Sequence, residues 1–294
     1  MQKLKIILLI GLLLTGFLAH KAQAQSPGLE VKKQGKGQAV LMIPGLTCAG
    51  DVWDGTIASM GDGYEFHVVT LPGFAGRPPL ADHEGKFLEK MENLLLDYIR
   101  EQQLDKPIII GHSLGGFLAL NIGIHAPEVP SKLVIVDSLP FLPAIQMPGA
   151  TAETAKPMAE NMRNMMMNSE GQSAEARINM QKMMLQTMIN DEADIEVALD
   201  WGLKSDAGTV AQAMYELYTI DLRDELGKIK VPTLVMGAYI GYTQYGVTRE
   251  STLKNYTDQY AKLDGVIVDL TDIGKHFIMW DDPEFMKKWL DKFL

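Results

Sequence analysis

Apolar residues along this chain fall into short unbroken runs, separated by turn residues and by longer stretches of helical periodicity. Leu29–Gln34 and Gln38–Ile43 read as two strands joined by the Gly35-Lys36-Gly37 turn. Glu65–Leu71, Pro107–Ile110, Lys132–Val136, Thr233–Met236 and Val266–Leu270 read as five more. Lys86–Gln103 and Leu114–His125 have helical spacing, as does Pro283–Leu294, which Asp282 opens and whose apolar face carries Phe285, Trp289 and Phe293. Continuous apolar strands alternating with helices predict an α/β fold, a mostly parallel sheet covered by helices on both faces.

One segment breaks the alternation. From about Leu139 to Leu226 no core strand is evident, and the composition turns helical and polar. The expected organisation is therefore a core of residues 27–138 and 227–294 with a helical lid, 139–226, inserted above the carboxyl ends of the strands, where open α/β sheets bind ligands. Nine of the 18 methionines lie between Met158 and Met188. They fit packing of lid helices on the core and equally an adaptable apolar surface over the ligand, and the two uses are compatible.

The first residues form a segment of another kind. Lys3 and Lys5 precede an apolar run from Ile6 to about Leu18, and Ala22-Gln23-Ala24 has the small-x-small pattern of a leader-peptidase site. A signal peptide over residues 1–24 and export to the periplasm or medium are expected, with an uncleaved N-terminal anchor as the alternative. The run is short of the roughly 20 apolar residues a membrane span needs, so no stable anchor is expected. A formal charge of -10 argues against a nucleic-acid partner and against docking to an anionic membrane. Cys48 is the only cysteine, so no intramolecular disulfide forms, and its expected place is as a small buried hydrophobe.

Gly111-His112-Ser113-Leu114-Gly115 fits G-x-S-x-G, directly after one predicted strand and opening a predicted helix. A serine forced into so sharp a turn needs neighbours without a Cβ. Its Oγ then stands at a helix N-terminus, where backbone N–H groups favour developing negative charge. Here the chain resembles the α/β-hydrolase family from about Leu29 to Leu294. Four patches carry the likeness. They are Val40–Leu46, Leu71–Gly76, the turn Gly111–Gly116, and Gly274-Lys275-His276-Phe277 with Asp281–Phe285. Proline 44 stands where the family commonly has histidine.

The resemblance implies a serine hydrolase with Ser113 as nucleophile, His276 as general base, and an oxyanion hole of the Leu46 and Leu114 backbone N–H groups. His112 is then structural, and His67, His83 and His125 have no catalytic context. The family's acid usually follows the strand Thr233–Met236 as G-x-x-Asp, but this chain reads Gly237-Ala238-Tyr239-Ile240. Asp137, at the end of the strand Lys132–Val136, is the expected replacement, since some relatives place their acid there. Glu250 or a Ser–His dyad remain the alternatives. The expected reaction is hydrolysis of carboxylic esters, lactones or thioesters of small apolar acyl or aromatic molecules through an acyl-enzyme. Carbon–carbon or amide hydrolysis on the same fold, and a non-catalytic small-molecule binder, stay open. No cofactor and no metal are implied.

Overall fold

The computed structural model describes residues 28–294, apart from 82–84, 146, 148 and 169–172. The proposed leader and His83 thus lie outside the described residues. Among the described residues seven strands form one sheet: β1 (Glu30–Gly35), β2 (Gly37–Ile43), β3 (Gly63–Thr70), β4 (Ile108–His112), β5 (Lys132–Val136), β6 (Thr233–Gly237) and β7 (Ile267–Leu270). Their order is β1-β3-β2-β4-β5-β6-β7, and only the β1–β3 pair is antiparallel. The two-glycine turn between β1 and β2 does not make a hairpin, because β3 lies between them. Gly35 and Gly37 adopt φ of 83° and 133°, and each lies so close to the first residues of β3 that a Cβ would strike a carbonyl oxygen there.

The central strands β4, β5 and β6 bury both faces, which is why they read as unbroken apolar runs. Leu41, Ile43, Ile109, Leu133, Ile135 and Val235 point to one side of the sheet. They meet α2 (Phe87–Glu101), α3 (Leu114–His125) and α8 (Arg249–Gln259). Val40, Met42, Ile110, Val134, Val136 and Met236 point to the other side, against Trp53, Phe277 and the terminal helix α10 (Pro283–Phe293). Two short helices, α1 (Asp54–Ser59) and α9 (Ile278–Asp281), complete that layer. Helix α3 is buried on every side except at His125, consistent with its nearly uniform apolar sequence. The sequence pattern marked the bounds of β5 and α3 to the residue, but gave no sign of α1 or α8.

Between β5 and β6 the chain forms α4 (Ala152–Met167), α5 (Ala174–Met188), α6 (Glu192–Lys204) and α7 (Ala207–Thr219), and no strand among the described residues. Helix α4 packs on α7, and α5 packs on α6. None of the nine methionines between Met158 and Met188 is fully buried, though Met188 packs half-buried against the core. Met165, Met167, Met180, Met183 and Met184 are exposed, while the buried positions of α4 and α5 are Ala155, Ala159 and Leu185. Small residues let these helices approach their neighbours closely, and five of the nine thioether side chains stay exposed.

Candidate active site

Ser113 sits between the end of β4 and the start of α3 with φ 52° and ψ -117°, a conformation that only a closely held turn maintains in a residue with a side chain. Its N–H donates to the Val136 carbonyl at 2.9 Å, and its carbonyl accepts from Phe117 N at 3.0 Å. The flanking glycines are there because backbone passes too near for a Cβ. One on Gly111 would lie 2.2 Å from the Gly115 carbonyl oxygen, and one on Gly115 would lie 2.2 Å from that of Ile43. Strand, turn and helix are thereby pressed together, leaving Ser113 half-buried at the carboxyl edge of the sheet.

The loop after β2 closes on the same point. A Cβ on Gly45 would come within 3.2 Å of Ser113 Cβ. Cys48 N donates to the Gly45 carbonyl at 3.2 Å, so Leu46 lies inside a tight turn beside the serine. Leu114 is the first residue of α3, and its N–H is among those that a helix leaves without an intrahelical partner. Cys48 itself is buried; its Sγ lies 3.4 Å from the Leu46 carbonyl, and burial pushes the thiol up to about 12.

Asp137 directly follows β5 with φ 44°, its N–H donating to the Met236 carbonyl at 2.7 Å. Its carboxylate reaches across the strand ends. Oδ2 meets His276 Nδ1 at 2.6 Å, while Oδ1 accepts from Ala238 N at 2.8 Å and from the Tyr256 hydroxyl at 2.6 Å. His276 is 20% exposed and Asp137 10%. Glu250, the alternative acid, is not brought to the histidine; it stands exposed in the first turn of α8. Ile240 begins a short 3₁₀ turn, Ile240–Tyr245. Bonded to Asp137 at Nδ1, the imidazole keeps Nε2 for the other side.

The loop carrying His276 is tied from three sides. His112, buried beneath it, points Nε2 at the His276 carbonyl 3.0 Å away, and the two rings lie 4.6 Å apart. Burial, then the neighbouring His276, holds the His112 ring well below the usual histidine range, so it is neutral and donates from Nε2. Asp281 accepts from Lys275 N at 2.8 Å and from Asn190 N at 2.9 Å, joining this loop to the α5–α6 corner. Lys275 Nζ donates to the Gln186 and Ile189 carbonyls at 2.6 and 3.0 Å. His67 is buried between Tyr98 and Glu65, and His125 pairs with Glu92, both away from Ser113's turn. Among the described residues no three His, Cys, Asp or Glu side chains gather as metal ligands would.

Sequence reasoning missed Tyr256 and Ala238 N as partners of Asp137, and Asn190 and Asp281 as ties of the histidine loop. Only the Asp281-Asp282-Pro283 pattern before α10 hinted at any of them.

A model of the alpha/beta hydrolase family matches residues 40–288. Among curated proteins, the pimeloyl-[acyl-carrier protein] methyl ester esterase of Vibrio cholerae is 30% identical over 210 residues, covering 68% of this chain and 74% of its own. That of Nitrosomonas europaea is 26% identical, covering 71% and 79%. Of solved structures, an esterase from Exiguobacterium antarcticum superposes with a TM-score of 0.70 at 19% identity, covering 90% of this chain and 94% of its own. An enol-lactonase from Burkholderia xenovorans gives 0.71 at 13%, covering 90% and 95%; at such identities these likenesses establish the fold alone.

Proposed function

The chain belongs to the alpha/beta hydrolase family and is an ester hydrolase, and from there we propose that Ser113, His276 and Asp137 form its triad. The observation that carries this is the Asp137–His276 hydrogen bond at the strand ends beside the Ser113 turn. Asp137 holds the imidazole in the tautomer whose Nε2 is free to take a proton, and stabilises the imidazolium that forms. Ser113 Oγ attacks the ester carbonyl as His276 Nε2 takes its proton. The N–H groups of Leu46 and Leu114 receive the charge that develops on the carbonyl oxygen. The proton then passes to the leaving alcohol, and water, activated by the same histidine, releases the acid and frees the serine. With Ile240 after β6, the carboxylate comes instead from Asp137 at the neighbouring strand end.

The substrates we assign are small esters with an apolar acyl or aromatic part. The relatives are named as esterases of a pimeloyl-[acyl-carrier protein] methyl ester, which supports ester cleavage on an acyl chain. The helices between β5 and β6 serve as the lid, and their exposed methionines offer a surface that moulds to different apolar groups. Specificity constants across matched p-nitrophenyl esters test the class. Butyrate and hexanoate should exceed acetate and succinate; equal or better turnover of the acetyl and succinyl esters contradicts it.

A further inference from the structure

Helix α8 and the residue that caps its C-terminus place two buried tyrosines one turn apart, and both reach the corner where β5 ends. The Tyr260 hydroxyl donates to the Ser138 carbonyl at 2.9 Å, and the Tyr256 hydroxyl to Asp137 Oδ1 at 2.6 Å. Gly237, at the end of β6, makes the second contact possible: a Cβ there would stand 2.7 Å from Tyr256 Cζ and 2.8 Å from Cε1. The tyrosine ring therefore crosses the end of β6 and reaches Asp137 at the end of the strand beside it.

We propose that Tyr256 is a positioning residue for the triad, its phenol binding one oxygen of Asp137 so that the other is held toward His276. The inference rests on the triad reading above. A carboxylate with one free oxygen can rotate about its Cβ–Cγ bond. With Oδ1 bonded to both Ala238 N and the phenol, rotation breaks two hydrogen bonds as well as the one to His276. The phenol also draws charge from the carboxylate, which lowers the pull of Asp137 on a protonated imidazole. Burial, then the charge of Asp137, pushes the Tyr256 hydroxyl well above its usual range, so it stays a donor. The titratable groups facing Asp137 are His276 from the loop after β7, Tyr256 from α8, Tyr260 capping α8, and Tyr242 from the turn after β6; His112 of β4 faces His276.

The test is the pH dependence of inactivation by a fluorophosphonate, whose acid limb reports protonation of the base. Three variants of the full chain are compared with the wild type: Tyr256→Phe, Tyr256→3-fluorotyrosine and Tyr260→Phe. Loss of the phenol should slow inactivation roughly ten- to a hundredfold and move the acid limb to higher pH, because the carboxylate then holds the imidazolium more strongly. Fluorination strengthens the donor and should move the limb to lower pH. Tyr260→Phe loses only a backbone contact and should lower Tm with the limb unmoved. Limbs unmoved in both Tyr256 variants overturn the inference, as does an equal shift in Tyr260→Phe, which would mark a packing effect. Absence of any adduct on the wild type would instead overturn the triad reading, so the two failures are separable.

Discussion

Asp137 adopts φ 44°, and aspartate is among the few side-chain-bearing residues that tolerate this region, so the residue type suits both the backbone and the charge. Asp137→Asn keeps that tolerance but gives the imidazole the wrong tautomer. Turnover of an aryl ester should fall about 10³- to 10⁴-fold at neutral pH, with circular dichroism unchanged. A loss below tenfold in the folded variant contradicts the assignment. His112 gives a pH prediction. Its folded-state proton affinity is depressed, so the unfolded chain binds more protons as pH falls below the ordinary histidine value of about 6.5, and stability drops there. In His112→Gln the fall of Tm from pH 6.5 to 5 should be shallower than in the wild type; an unchanged slope counts against it. Ser113 and His276 could be picked out in the sequence as candidates because local motifs mark them. Asp137 was legible only as a strand-end carboxylate, and Tyr256 not at all, because its contact spans 119 positions and depends on how α8 docks.

Parallel strands announce themselves because burial on both faces demands unbroken apolar runs, and α2 because its buried Phe87, Leu88, Met91, Leu95 and Ile99 fall at helical spacing. Helix α8 escaped for the opposite reason: it buries only Tyr256 and Gln259, so no apolar stripe marks it. What covers the first turn of α2 was equally hidden. Lys86 precedes that helix in a left-handed conformation with no side-chain cap. The cap comes instead from α7, where buried Glu216 accepts from Phe87 N and Leu88 N at 2.6 and 2.7 Å. A carboxylate there also meets the positive end of the helix dipole. Glu216→Ala leaves two buried N–H groups without partners and should cost about 2–4 kcal/mol in denaturant unfolding. A change under 0.5 kcal/mol would mean that the helix finds another cap.

On the scale of the whole molecule, the strand ends of β2, β4, β5 and β6 and the loop after β7 converge on one edge of the sheet, and the chain between β5 and β6 crosses beside it. That segment is fastened at two corners. Asn190 is bound to the histidine loop, and Asp206 N donates to the Gly73 carbonyl at 2.8 Å. Export would bring this site to substrates outside the cytoplasm. N-terminal sequencing of the secreted or periplasmic protein should begin at Gln25, and full-length chain in the membrane fraction would indicate the anchor instead. The folded full chain is treated with a fluorophosphonate, and the adduct is located by intact mass and peptide mapping. One adduct on Ser113, lost in Ser113→Ala, is the predicted result; no adduct while a control serine hydrolase is labelled, or an adduct elsewhere, contradicts it.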